Sequence, residues 1–335
     1  MRNHSLDFLR GIAAIAVCIG HLYYWNNNVT SISSAFILAV DFFLILSGFV
    51  ITQSIDSKNY FSLPIFIYNR WIRLFPVFIL CFLIIGSLKY TFSPDYTLPN
   101  TFDFLKYIIL GHMLPINLES SFKDPLSIAY TISAELWVGI FIFPIVYYFK
   151  KLRFILLIIF AIYSYINLIQ YSPSYMDVHY QKFNNYIYFG IVRCILDYSL
   201  GILAFLILKK SFIFNEYIKK IQVILPLIFL IYIPINYNKE LQYAAPIIFT
   251  LLIISLGQRQ GPIYKILNNK LGIFLGQISY PIYLIHPLLV GMFTVLKLPL
   301  HILTCLIYLT CCIVTSWLIH TYYEKPMMKL MIKKG

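Results

Sequence analysis

The stretch Ala35-Phe-Ile-Leu-Ala-Val-Asp41-Phe-Phe-Leu-Ile-Leu-Ser47-Gly-Phe-Val-Ile-Thr-Gln-Ser54 runs for 20 residues with a single charge, Asp41, inside it. A helix of that length reaches across the roughly 30 Å hydrocarbon core of a bilayer, and no polar face is left for water. Runs of the same kind recur along the chain. They predict ten spans, at about 7–25, 35–54, 72–92, 128–149, 152–170, 186–208, 221–236, 240–256, 271–293 and 300–322. The composition agrees: 60% of the 335 residues are hydrophobic and only 12% are charged, about half the charge of an ordinary globular chain. Mean hydropathy is +0.78. These numbers exclude a water-soluble enzyme and predict an all-α, polytopic membrane helical bundle.

An excess of 26 Lys and Arg over 13 Asp and Glu points to nucleic acid in a soluble domain. Here the placement of the bases argues for topology instead. With the N-terminus inside, the short loops of one side receive Arg2, Arg10, Lys58, Arg70, Arg73, Lys150, Lys151, Arg153, Lys209, Lys210, Lys219, Lys220, Arg259, Lys265, Lys270 and the Lys-rich C-terminus. The other side and the spans keep only Lys89, Lys106, Lys123, Lys182, Arg193, Lys239 and Lys297. The positive-inside rule then puts both termini in the cytoplasm and leaves no call for an anionic macromolecular partner.

Ten spans of about 21 residues use most of the chain, so a single membrane-embedded domain over 1–335 is expected, without an appended soluble domain. The longest segment between spans, about 93–127, carries Pro94, Pro99, Pro115 and Pro125 around an apolar stretch, Phe102 to Leu114, too short to cross. It reads as a lid or re-entrant element. No small-residue cleavage site follows the first span, which is read as retained. Cys18, Cys81, Cys194, Cys305, Cys311 and Cys312 fall inside predicted spans without paired loop spacing, so neither a disulfide framework nor a metal site is expected. The Tyr-, Ile- and Asn-rich composition fits an AT-rich bacterial genome.

Polar side chains inside a bilayer are costly and mark candidate functional positions. Arg10 and His21 are eleven residues apart on the first span, about three turns plus 20° and roughly 16 Å, hence on one helix face at different depths. Beside this stand plain structural readings, a snorkelling anchor for Arg10 and a packed core histidine for His21. Asp41 needs a partner, His21 or Arg193. Arg70 and Arg73, one turn apart at the expected cytoplasmic boundary, have the spacing of a guanidinium clamp for phosphate, or of ordinary boundary anchors. Glu135 and Ser133 start the fourth span, with Glu135 expected in the outer half. Arg193 and Asp197 are four apart and are expected to pair. Tyr283 and His286 share a face of the ninth span, where His286 reads first as a satisfied core histidine. Glu324 closes the tenth.

Taken in order, these segments resemble a known family. Leu6-Asp-Phe-Leu-Arg10-Gly with His21, Asp41-Phe-Phe with Ser47-Gly-Phe, Arg70-x-x-Arg73-x-x-Pro76, Ser133-x-Glu135, Ile278-Ser-Tyr-Pro-x-Tyr283-x-x-His286-Pro, and Glu324-Lys-Pro326 are similar to the motifs of the acyltransferase-3 family of integral membrane acyltransferases, which includes surface polysaccharide O-acetyltransferases. The likeness covers essentially the whole chain. Tyr130 stands where the family usually has tryptophan, and Thr131 where it has serine.

The resemblance implies an acyl-CoA-dependent O-acyltransferase of a bacterial plasma (inner) membrane. It would move an acyl group, most often acetyl, from cytoplasmic acyl-CoA to a hydroxyl of a cell-surface polysaccharide, its lipid-linked precursor or another envelope glycoconjugate. Acyl-CoA, a carbohydrate acceptor and membrane lipids are then the expected partners, with no metal and no nucleic acid. In that scheme Arg10, Arg70 and Arg73 hold the donor's phosphates. His21 is the general base, with a transient acyl carrier as the alternative role, and Asp41 and Glu135 are carboxylates able to orient it. Ser47, Ser133, Arg193, Tyr283 and His286 serve binding or support. The competing class is a multi-pass transporter or flippase of a lipid-linked or small polar substrate, which equally uses ionisable residues at mid-membrane.

Overall fold

The computed structural model describes residues 3–26, 36–58, 60–114, 124–210, 222 and 239–332. Its long helices are α1 (His4–Trp25), α2 (Ala39–Asp56), α3 (Leu63–Phe92), α5 (Tyr130–Tyr148), α6 (Arg153–Tyr171), α7 (Phe189–Lys210), α8 (Ala245–Gly257), α10 (Lys270–Val295) and α11 (Ile302–Ile319). Shorter ones are α4 (Thr101–Ile108), α9 (Pro262–Leu267) and α12 (Lys325–Ile332), the last joined to α11 by a π-helical turn, His320–Glu324. Among the described residues no strand forms beyond one β-bridge, Lys182 with Tyr188. Nine helical segments there are long and apolar enough to cross a bilayer, which makes the chain a polytopic helical membrane protein. The span expected at 221–236 lies outside the described residues.

Side-chain periodicity shows how these helices serve lipid and core at once. On α6, Ile155, Ile159, Ile162, Ile166 and Ile169 are exposed, whereas Leu157, Ala161, Ser164 and Leu168 are buried. The two sets alternate at spacings of three and four and so occupy opposite faces. Polar residues stop the helices. Asn3 caps α1 by accepting from the Ser5 and Leu6 amides while its own amide donates to the Leu256 carbonyl at 2.9 Å. Asn269 caps α10 by accepting from Gly272 N at 2.8 Å.

Two parallel helix pairs build the interior. α1 lies along α10 in register, with Gly11 facing Leu275, Gly276 facing Asp7, and Arg10 reaching Ser279. α2 lies along α7, where a Cβ on Gly48 would stand 2.7 Å from the Tyr198 carbonyl oxygen and one on Gly201 would collide with the Ile45 carbonyl. Only glycine permits two backbones to approach this closely, the small-residue packing favoured between helices in lipid.

One face of the bundle is basic. Asp56 at the end of α2 takes Lys209 at 2.6 Å and Arg153 at 4.0 Å, the Tyr148 hydroxyl donates to Phe61 O beside the start of α3, and Asn3 reaches the end of α8. α4 lies within the segment expected as a lid. Trp71 and Trp137 donate their indole N–H to the carbonyls of Ile108 and Leu110, at 2.8 and 3.0 Å, seating this segment on the bundle.

The main departure from the expected spans is α3. It begins nine residues before the expected 72, with Pro64 in its first turn, and continues through Pro76. At 30 residues it is about 45 Å long, longer than the hydrocarbon core. Arg70 and Arg73 therefore stand on the second and third turns of a helix and not in a loop.

Candidate active site

The site is built from two clusters at different depths, both anchored on the parallel helix pairs. Toward the end opposite the basic face, His21 Nδ1 and His286 Nε2 are 2.8 Å apart. The two rings are nearly parallel at a centroid distance of 5.0 Å, and Trp25 also packs on His21 at 5.0 Å, its own ring 6.4 Å from that of His286. His286 is fully buried, and its Nδ1 lies 3.3 Å from the Ile282 carbonyl. Along their helices His21 stands about 26 Å from His4, and His286 about 24 Å from Lys270. The parallel packing of α1 on α10 thus delivers both imidazoles to one level.

A second cluster lies nearer the basic face. Glu135 of α5 is paired with Arg70 of α3, and its Oε1 also accepts from the Ser47 hydroxyl of α2 at 3.0 Å. Tyr198 of α7 donates to the Glu135 carbonyl at 3.1 Å. Four helices meet at this one residue. Glu135 is about 20 Å from Tyr148 and Ser47 about 14 Å from Asp56, so the cluster lies well inside the bundle, away from the basic face.

Below it, a crevice of about 420 Å³ opens between the last turns of α2 and the first turns of α3. Ser54, Lys58, Asn69, Arg70 and Arg73 supply its polar lining, with Ile51, Ile55 and Phe66 as apolar wall. At its rim Tyr60 and Ile65 are exposed. Three cationic side chains, apolar wall and a guanidinium that continues into the bundle make a site suited to an elongated polyanion with an uncharged tail.

Asp41 and Arg193 form a separate, fully buried fork. Arg193 Nε to Asp41 Oδ1 is 2.6 Å, and Nη2 to Oδ2 is 2.8 Å. The same guanidinium donates to the Tyr130 hydroxyl at 3.4 Å and to the Ile37 carbonyl at 3.3 Å. Asp197, expected as Arg193's partner, lies beside Asp41 with neither carboxylate oxygen hydrogen-bonded to a donor.

The structure thus distributes the residues singled out from sequence over five places. His21 and His286 come together. Arg70 and Arg73 line the crevice, and Arg70 is joined to Glu135 and Ser47. Asp41 is locked on Arg193, so neither carboxylate expected beside His21 bonds to it. Arg10 does not line the crevice: its Nε donates to Ser279 Oγ at 3.0 Å, and it also engages the Gly276 carbonyl and Asp7, bolting α1 to α10. Ser133 accepts from Met113 N at 3.0 Å, and Tyr283 donates to Ile128 O at 2.7 Å while accepting from Thr131 at 3.1 Å. Both secure the start of α5.

Sequence reasoning passed over Trp25 and His179. Trp25 follows His21 by one turn, the only cue to its stacking. His179, between α6 and α7, stacks on Tyr130 at 4.9 Å. Burial holds its imidazole below the usual histidine range, opposed by Asp177. Among the described residues no group of three or more His, Cys, Asp or Glu gathers as for a metal ion.

Comparison with known proteins shows the family of the chain. The family model described as "Acyltransferase domain" (Acyl_transf_3) matches residues 3–321. A protein of Acidianus two-tailed virus named "Putative acetyltransferase ORF330" is 27% identical over 297 residues, covering 84% of this chain and 81% of that protein. No solved structure gives a significant match. The family match takes in α1 through α11, both parallel helix pairs, the histidine pair and the basic crevice: this chain belongs to the acyltransferase-3 family of membrane acyltransferases.

Proposed function

We propose that the protein is an acyl-CoA-dependent O-acyltransferase of a bacterial plasma membrane, with the basic face and both termini in the cytoplasm. It transfers an acyl group, acetyl above all, to a hydroxyl of a surface polysaccharide, its lipid-linked precursor or another envelope glycoconjugate. The observation that carries the reading is the crevice lined by Lys58, Arg70 and Arg73 on the basic face, with Arg70 joined to Glu135 inside the bundle. Coenzyme A is a polyanion with a long uncharged arm ending in the thioester. Lys58, Arg73 and the guanidinium N–H groups of Arg70 not used by Glu135 fit its phosphates. The arm then runs along the bundle interior to His21.

A hydroxyl is a weak nucleophile near pH 7, and an imidazole within reach takes its proton as oxygen attacks the thioester carbon. The thioester carbon–sulfur bond breaks, and the departing thiolate recovers that proton as free thiol. The test uses purified protein in nanodiscs with acetyl-CoA, reading thermal stabilisation and thioester loss in wild type, His21→Ala and Arg70→Ala/Arg73→Ala. Stabilisation lost in the arginine variant, and turnover lost in His21→Ala with stabilisation intact, is the expected result. Well-folded wild type that shows no saturable stabilisation by any acyl-CoA overturns the reading and favours a transporter.

A further inference from the structure

The histidine that faces His21 holds the position where a catalytic carboxylate was expected, and its bonding fixes the protons on both rings. A carbonyl oxygen only accepts, so the 3.3 Å contact of His286 Nδ1 with Ile282 O places a hydrogen on that nitrogen. The neutral ring then has a bare lone pair at Nε2. His21 Nδ1, 2.8 Å away, must be the donor, and His21 in turn keeps its own lone pair at Nε2. From this chain of bonds, and resting on the transfer reaction proposed above, we infer that His286 is the positioning residue of the site. A neutral histidine, and not Asp41 or Glu135, sets the tautomer of His21 so that Nε2 is the base.

Three observations support this assignment. Asp41 is held by both arms of Arg193, and Glu135 by Arg70 and Ser47, so the two carboxylates nearest in sequence motif are committed to other bonds. His286 is 0% exposed, which gives its ring one orientation and water no access to Nε2. Finally, the His286 ring lies within 8° of the plane of His21 and the Trp25 indole packs against His21 at a centroid distance of 5.0 Å and 21°, which restricts the tilt of the His21 ring.

The chemistry balances without a buried anion. As the acceptor oxygen attacks the thioester carbon, its proton passes to His21 Nε2. The imidazolium so formed donates through Nδ1–H to His286 Nε2, a bond that strengthens when its donor becomes charged. Collapse of the tetrahedral intermediate breaks the carbon–sulfur bond, the proton on Nε2 goes to the thiolate, and the histidine pair returns to its starting state.

The test compares wild type with His286→Gln and His286→Met in nanodiscs under saturating acetyl-CoA. A glutamine carbonyl can still accept from His21 Nδ1, whereas methionine offers no acceptor of comparable strength. His286→Met should lose about a hundredfold or more in kcat, in the range of a general base's contribution, with KM for acetyl-CoA within about threefold of wild type. His286→Gln should recover at least a tenth of the wild-type kcat, an outcome that packing alone would not produce. Wild-type turnover in His286→Met overturns the inference while leaving the transferase intact, and so does a folded His286→Gln as inactive as His286→Met. Should His286→Met not fold, the nitrogen resonances of wild type labelled with 15N-histidine decide: a protonated His21 Nε2 with bare Nδ1 overturns the assignment. Absence of turnover in folded wild type is a failure of the transferase reading and is read out separately from these.

Discussion

Replacing Asp41 separates a load held by the bundle from a part in the chemistry. Its carboxylate meets Arg193 in a fork with both N···O distances under 3 Å, and the two side chains are 0% and 1% exposed. Removing one member of such a pair strands the other in a medium that cannot solvate it, at a cost of about 3–5 kcal/mol. The two directions are not equal. In Asp41→Asn the guanidinium keeps Tyr130, Ile37 O and the nearby Asp197, so the loss belongs at about the lower end. Arg193→Met leaves two neighbouring carboxyls, Asp41 and Asp197, without a cation and belongs at about the upper end. In the double variant the partners vanish together, and the coupling should be about 2–3 kcal/mol, a factor of about 30 to 150 in the folded ratio. Equilibrium unfolding by SDS in mixed micelles, followed by tryptophan fluorescence, reads all four corners of the cycle. A coupling near zero refutes the claim that the fork acts as a unit. Asp41→Asn with wild-type stability and abolished transfer refutes the structural role altogether and returns Asp41 to the catalytic set.

Other perturbations follow from the same packing. Glu135→Gln should destabilise less than Asp41→Asn, by about 1–3 kcal/mol, because the Arg70 and Glu135 side chains are 14% and 19% exposed; a larger loss in the same assay would contradict this ranking. Gly201→Leu drives a side chain into the Ile45 carbonyl and should remove folded protein from detergent extracts. Gly291→Ala, with nothing within 4 Å of its Cβ, should leave Tm unchanged or slightly raised. His112 is buried, with Nε2 at 2.7 Å from Ala129 O and no partner at Nδ1. Burial lowers its pKa, against the pull of Asp124 and the Ala129 bond. The unfolded chain therefore takes up this proton first as pH falls below about 6.5. The histidine's share of stability is complete above that value and declines toward pH 5. His112→Gln should flatten the decline, and an unchanged slope between variant and wild type would refute the reasoning.

The spans were legible because hydropathy integrates over some twenty residues and tolerates single polar insertions such as Asp41 or Glu135. The same averaging hid the start of α3. Asn69, Arg70 and Arg73 depress the local hydropathy, so the helix was expected to begin after Arg70, although its first turns carry the crevice lining. Partnerships were less legible. Arg193 and Asp197 looked paired by spacing, yet helical side chains lean toward the N-terminus, so an arginine four residues before an aspartate points away from it. Arg193 instead meets Asp41 on the parallel neighbour. That choice depends on Gly48 and Gly201 drawing α2 against α7, a contact visible only once the helices are placed. His286 was read as a core histidine, and its burial agrees. What the sequence could not show is the equal depth of His21 and His286, which follows from α1 and α10 running parallel.

The distribution of charge gives this arrangement a physical logic. An unpaired ion in hydrocarbon is expensive, whichever scale is used. The acids singled out in the first spans are each matched: Asp41 by Arg193, Glu135 by Arg70, and Asp7 by Arg10. A histidine pair that is neutral at rest adds no charge to be matched. A carboxylate beside His21 would need its own buried cation, which would compete with the imidazolium formed during proton transfer. The neutral partner avoids this conflict, at the cost of a weaker pull on that cation. It also accounts for the geometry around the pair: where no ionic attraction orients His21, Trp25, His286 and the rigid α1 and α10 contact must do so by packing. Substitutions that loosen this packing, such as Trp25→Ala, should then lower kcat while leaving acyl-CoA stabilisation intact. The argument fails if Trp25→Ala alters donor binding and spares kcat.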